Sequence, residues 1–140
     1  MATVAQDDCI FCAIVAGELP ATIVESGERA IAFMDINPAT RGHALIVPRV
    51  HARDLHEVGA DDLAACIALA QSIAGRARER LGAEGVNLMN SAGRAAWQTV
   101  FHFHLHVIPR YAGDGMRLPW VPFPGDPTEI AATAAALAAP

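Results

Sequence analysis

The segment Phe101–Pro109 reads FHFHLHVIP, with three of the chain's six histidines at every second position. Side chains on a strand alternate faces, so His102, His104 and His106 are expected on one side of a sheet. Phe101, Phe103, Leu105 and Val107 then fall on the other side, where apolar residues can join a core. Histidine is rarely chosen for strand propensity, and three stacked imidazoles cannot all be charged without repelling one another. A face of this kind has two chemical uses. Alternate histidines can ligate one metal ion. Alternatively, a neutral imidazole can attack phosphorus while a neighbouring histidine protonates the leaving group or binds phosphate oxygens.

The remaining chain supplies a sheet around this segment. After CIFC, the stretch AIVAGELPA reads as a short helix stopped by Gly17 and Pro20. Thr22–Glu25 and Arg29–Asp35 read as strands around the turn Ser26-Gly27-Glu28, and HALIVP as a third strand. The clearest helix runs over Asp61–Leu81, with Leu63, Ile67, Ala70, Ala74, Ala77 and Leu81 as its apolar stripe. Cys66 lies in that helix and reads as a small packed side chain. Gly82 is placed to cap it, and Arg76, Arg78 and Arg80 sit at its negative end. GVNLMN gives a fourth strand, SAGRAAW a loop, and QTVFHFHLHVIPR a fifth strand. The Pro/Gly-rich tail leads to Asp126-Pro127-Thr128-Glu129, an N-cap signal opening an Ala-rich helix. Strands joined by short turns around one long helix predict an α+β fold. It has about five mainly antiparallel strands, one long helix and a short C-terminal helix.

The chain has 140 residues, the length of one domain, and 53% of them are hydrophobic. Its net charge is −5 and it has no Lys/Arg cluster, which argues against a general nucleic-acid binder. A nucleotide substrate needs only local phosphate donors and stays open. No apolar run reaches membrane-span length and the N-terminus lacks a basic leader, so a cytoplasmic protein is expected. The three cysteines include the pair Cys9-x-x-Cys12, which in a reducing compartment points to metal or redox chemistry.

QTVFHFHLHV resembles the signature of the histidine triad (HIT) family, in which histidines alternate with apolar residues after Gln and Ser or Thr. DCIFCAIVAGELPATIV, AFMDINP, GHALIVPRVH and the long helix follow in that family's order, so the resemblance covers roughly residues 8 to 110. Residues 111–140 are then a C-terminal extension. The Hint-like branch of nucleotide hydrolases is the nearest match. The resemblance implies His104 as the nucleophile and His106 as a contact to the α-phosphate. It gives His102 and His43 the ordering of the imidazoles. Thr99, with Gln98 before it, and Asn90 would lie at the phosphate, Asp35 at the ribose hydroxyls, and Phe33, Ile36 and Asn37 around the nucleoside. Five of these residues have a plainer alternative. Asp35-Ile-Asn37-Pro38 also suits a turn, Phe33 and Ile36 also suit a core, and Asn90 also suits a loop opening.

Some family members hold a structural zinc through two N-terminal cysteines, a histidine after the VP strand and the first triad histidine. This chain has all four, Cys9, Cys12, His51 and His102, which would form a closed tetrahedral site. The plainer alternative is two buried cysteines with His51 exposed. His56 has no partner in this scheme and reads as a solvated side chain. Two departures bear on the pocket. Trp97 stands where many relatives have glycine, offering a ring to stack on a base or narrow the site, and Arg41 stands where a proline often precedes Gly-His. Trp120 is a candidate to reach a partner subunit. The reading is a homodimeric hydrolase or nucleotidyltransferase acting on purine nucleoside phosphoramidates, with structural zinc and no catalytic cofactor. The alternatives are a dinucleoside polyphosphate hydrolase, a metal-dependent enzyme using the triad as ligands, and a non-catalytic nucleotide-binding protein.

Overall fold

The alternation of apolar residues in the central strands determines where everything else packs. The structure, a computed structural model, describes residue 6 and residues 8–140. Five strands, β1 (Ile23–Ser26), β2 (Ala30–Met34), β3 (Ala44–Pro48), β4 (Gly85–Met89) and β5 (Leu105–Arg110), form one sheet in the order β1-β2-β3-β5-β4. All neighbours are antiparallel. Ala30, Ala32, Ala44, Ile46, Leu105 and Val107 face the long helix α2 (Ala60–Leu81). Ile31, Phe33, Leu45 and Val47 face the other way, toward the short helix α1 (Ile10–Val15). The α2 side is rich in alanine, so a helix can approach closely. His106 lies opposite Leu45 in the register and therefore projects on the α1 side.

The expected hairpin, the third and fourth strands and the long helix stand as read, with Gly82 in the left-handed conformation at the helix end. Three local expectations are corrected. The fifth strand begins at Leu105, so His102 and His104 precede it in an irregular stretch that nevertheless keeps the alternation: Phe103 joins the α2-side core. Phe101 does not join that core. It is half-exposed, with the guanidiniums of Arg53 and Arg94 at 4.6 and 5.1 Å from its ring centre. The buried stripe of α2 is Cys66, Ala70, Ile73 and Ala77, and Ile67 is exposed. Cys66, a small hydrophobe, takes a core position that a count of large apolar residues assigns to its neighbour. Burial pushes its thiol up to about 12, which leaves it inert.

Beyond β5, Arg110 is held in a turn by both carboxylate oxygens of Asp114, at 2.7 and 2.9 Å. The tail leads to α3 (Pro127–Ala138), whose N-cap Asp126 accepts from the Thr128 amide. Both this helix and the segment before it are exposed, including Trp120, Val121 and Phe123. Among the described residues no helix is long and apolar enough to cross a membrane.

Gly42, next to His43 in sequence, packs closely against the end of α2. Its φ is +90°, and a Cβ there would meet Leu81 Cδ1 at 2.6 Å. Gly42→Ala is expected to lower stability by roughly 2 kcal/mol through strain and overpacking, read as a lower urea midpoint with unchanged slope.

Candidate functional site

Three backbone groups decide what the imidazoles can do. The carbonyl of His102 lies 2.7 Å from Nδ1 of His104, so that nitrogen carries the proton and Nε2 keeps a free lone pair. The carbonyl of Pro48, at the end of β3, lies 2.9 Å from Nε2 of His102 and fixes the opposite tautomer there. The lone pair of His102 is thus on Nδ1, which faces the sulfurs of Cys9 (3.4 Å) and Cys12 (3.5 Å). The Ala39 amide donates to Nδ1 of His43 at 2.9 Å, leaving the His43 proton on Nε2. That Nε2–H meets Nδ1 of His106 at 2.9 Å, so His106 carries its own proton on Nε2. Consecutive imidazoles therefore have different tasks: His102 turns a lone pair to the cysteines, His104 has a free Nε2 and His106 an available Nε2–H.

Burial keeps this set neutral. It is the largest cause in each case, pushing His102 and His106 down to about 4 and lowering His43 and His104. Neighbouring imidazoles add to the effect at His102 and His106. Asp35 pulls the other way at His43, with Oδ2 at 3.5 Å from Nε2, but burial outweighs it, so the contact is not an ion pair.

Cys9, Cys12, His51 and His102 bring four ligand atoms within 4.8 Å of one another, with Cys12 Sγ to His51 Nδ1 at 3.3 Å. Bonds of ~2.3 Å to sulfur and ~2.0 Å to nitrogen at tetrahedral angles put S and N about 3.6 Å apart, so the four residues fit a tetrahedral ion. His102 also donates its other nitrogen to a carbonyl, as ligating histidines do. Asp35, His43 and His106 form a second compact group. That group lacks the second feature: Nδ1 of His43 accepts a hydrogen bond, so its Nε2 is a donor and not a ligand. Nor do the triad imidazoles converge on one point, since His102 faces the thiols and His104 the cleft. This geometry counts against a reading in which the triad is a catalytic ligand set.

Beside the imidazoles lies a cleft of about 570 Å³, in the size range of small-molecule sites. Its walls are largely apolar, from Ile10, Phe11 and Ile14 of α1 and from Phe33 and Met34. Asp35, Thr99, His104 and His106 bring polar atoms to it.

The model of the HIT domain matches residues 16–113. The chain belongs to the HIT family. An uncharacterized HIT-like protein of Methanocaldococcus jannaschii is 44% identical over 107 residues, covering 76% of this chain and 82% of that protein. A fission-yeast (Schizosaccharomyces pombe) protein named adenosine 5′-monophosphoramidase is 35% identical, covering 89% of this chain and 91% of its own length. The crystal structure of a zinc-bound histidine triad family protein from Mycobacterium smegmatis superposes with a TM-score of 0.76 at 39% identity, covering 92% of this chain and 97% of that one.

Not every residue assigned to the HIT site reaches the cleft. Phe33, Asp35, Ile36, Asn37, Thr99, His104 and His106 line it, with Ile36 on the rim at 90% exposure. Asp35 also accepts from the Asn37 amide at 2.8 Å, so the turn chemistry is present as well. The Asn90 amide donates to the His104 carbonyl at 2.9 Å. Buried Gln98 accepts from the Gly93 amide and donates to the carbonyls of Arg53 and Val100. These two side chains hold the segments around the triad instead of lining the cleft. Trp97 is 66% exposed, lies outside the cleft, and has φ +72°, a left-handed conformation that glycine adopts without strain. His56 is exposed, whereas His51 is half-buried beside Cys12. The α1 wall was missed by sequence reasoning. Its signal was the apolar spacing Ile10, Phe11, Ile14 threaded through the C-x-x-C, and Phe11 meets the His104 ring edge-on at 5.1 Å.

Unfolded histidines take up protons near 6.5, but His102 and His106 resist until about 4. Between those values the unfolded chain binds more protons, so stability falls as pH drops through this window and levels off below it. Urea midpoints at pH 7, 6, 5 and 4 are expected to record roughly 2–3 kcal/mol lost per imidazole, and His106→Asn to flatten its share.

Proposed function

We propose that this protein hydrolyses purine nucleoside phosphoramidates through a nucleotidyl intermediate on His104. The observation that carries this reading is the bond from His104 Nδ1–H to the His102 carbonyl, which leaves a neutral nucleophilic nitrogen at a cleft of nucleotide size. Nε2 of His104 attacks the α-phosphorus as the phosphorus–nitrogen bond breaks. The substrate nitrogen takes a proton from solvent and leaves as the neutral amine, while His106 Nε2–H binds a phosphate oxygen and the new bond leaves its positive charge on the His104 ring. Water then attacks phosphorus as the phosphorus–His104 bond breaks, releasing the nucleoside monophosphate, neutral His104 and one proton to solvent. His43 orients His106 through the 2.9 Å bond between them. Asn90 and Gln98 act as positioning residues, whereas Thr99 contacts the phosphate and Asp35 the ribose hydroxyls. Phe33 and Ile36 hold the base, with Asn37 at the edge of the nucleoside. The named activity of the fission-yeast relative supports the choice of phosphoramidates.

The closed ligand set, and the zinc in the mycobacterial neighbour, support a structural zinc at Cys9, Cys12, His51 and His102. When bound it cross-links three segments and supplies no vacancy for substrate. Its thiol ligands suit the reducing cytoplasm in which we place the protein. We read the chain as one HIT domain with a C-terminal extension from residue 111. Exposed Trp120, Val121 and Phe123 on that extension support a homodimer, since they find no cover among the described residues.

A single-turnover reaction with adenosine 5′-phosphoramidate, quenched early and read by intact-protein mass, tests the route. Wild type is expected to gain one nucleotidyl mass, and His104→Ala to gain none and lose at least about 10³-fold in rate. Faster adduct formation from a dinucleoside polyphosphate would reassign the leaving group. No adduct and no nucleoside monophosphate from either compound would sink the hydrolase reading.

A further inference from the structure

The α1 wall of the cleft has a slender attachment to the sheet. The helix has six residues, far fewer than an isolated helix needs to persist in water. Its main-chain hydrogen bonds to described residues stay within the segment from Gln6 to Leu19. Among the described residues, the polar links from this segment to the rest of the chain are those of two cysteines. Cys9 Sγ lies 3.4 Å from His102 Nδ1, and Cys12 Sγ lies 3.3 Å from His51 Nδ1 and 3.5 Å from His102 Nδ1. His51 follows β3 and His102 precedes β5, so the four residues join α1 to both central strands. The apolar attachment centres on Phe11, whose ring lies edge-on to Phe33 at 5.5 Å and to His104 at 5.1 Å. Phe11 sits between the two cysteines in sequence, and with Ile10 and Ile14 it lines the cleft. Sulfur–imidazole contacts are weak by themselves, whereas coordination to one ion ties all three segments together.

We propose that the Cys9–Cys12–His51–His102 cluster is a latch on the nucleotide cleft: a bound metal ion holds α1 in place as a wall, and its loss opens that wall and weakens nucleotide binding. The inference rests on the reading of the cleft as a nucleotide site. The effect is directed at affinity. The His102 ring keeps its bond to the Pro48 carbonyl, and the bond that orients His104 goes to the main chain, so neither depends on the ion.

The test is a calorimetric titration of AMP into the zinc-loaded full chain and into the same chain stripped by a chelator, with hydrogen exchange measured on both. The stripped chain is expected to bind AMP at least tenfold more weakly, with faster exchange over residues 8–19 and unchanged exchange in β2, β3 and β5. Equal affinity in the two forms, or a chain that takes up no zinc, overturns the latch and leaves the nucleotide site standing. Absence of AMP binding in both forms overturns the nucleotide reading, and the latch with it. Should stripping unfold the sheet, the double variant Cys9→Ser/Cys12→Ser, whose α1 segment offers the ion no thiolate, makes the same comparison against the zinc-loaded wild type. Weakened AMP binding then supports the latch, and unchanged affinity overturns it.

Discussion

The bond from His104 Nδ1–H to the carbonyl of His102, two residues earlier, is the contact on which the site depends. It determines which nitrogen of His104 is nucleophilic, and it uses a main-chain acceptor that no side-chain rotation can remove. The same logic repeats at His102, held by the Pro48 carbonyl, and at His43, held by the Ala39 amide. Three tautomers are thus set by backbone groups belonging to the sheet and its approach loop. This is preorganisation of an inexpensive kind, because the peptide groups are ordered by folding in any case.

Burial performs the complementary task. Among the described residues no buried side-chain nitrogen or oxygen lacks a partner, so the imidazoles are desolvated without being orphaned. Desolvation disfavours the charged form and keeps each ring neutral, as both a nucleophile and a metal ligand require. The sheet makes this possible by sorting residues two ways. Alanines in β2 and β3 admit α2 on one face, and the imidazoles occupy the other face under α1. One short helix therefore covers both the cysteine–histidine cluster and the cleft, and His102 links that cluster to the His104 ring. The exposed tail carries a different kind of information. Its aromatic and aliphatic side chains find no cover among the described residues, and the reading of a second subunit rests on them.

Much of this was legible because two periods are written plainly in the chain. Alternation over Phe101–Val107 and the uninterrupted apolar run in HALIVP announce strands, and three- and four-residue spacing over Asp61–Leu81 announces the helix. The errors lie where local pattern and tertiary context diverge. Alternation continues through His102 and His104 although the strand starts only at Leu105, because an extended backbone can alternate without a ladder partner. Asn90 and Gln98 have amide chemistry that suits phosphate or backbone equally, and only their neighbours show that they bind carbonyls and amides of the chain.

Residue types and their spacing alone determined the α+β architecture and the shared face of the three histidines, whereas the four candidates for a metal cluster came from the family resemblance. Spacing can do this because side-chain direction follows backbone period, and a short alternating segment has few ways to fold. Only the tertiary structure decided which ring nitrogen carries a proton, that His102 turns to the thiols while His104 keeps a free nitrogen at the cleft, and that α1 forms the wall. Those outcomes depend on acceptors such as the Pro48 carbonyl, 54 positions from His102 in the chain. No local pattern records a hydrogen bond between residues that meet only when the sheet closes.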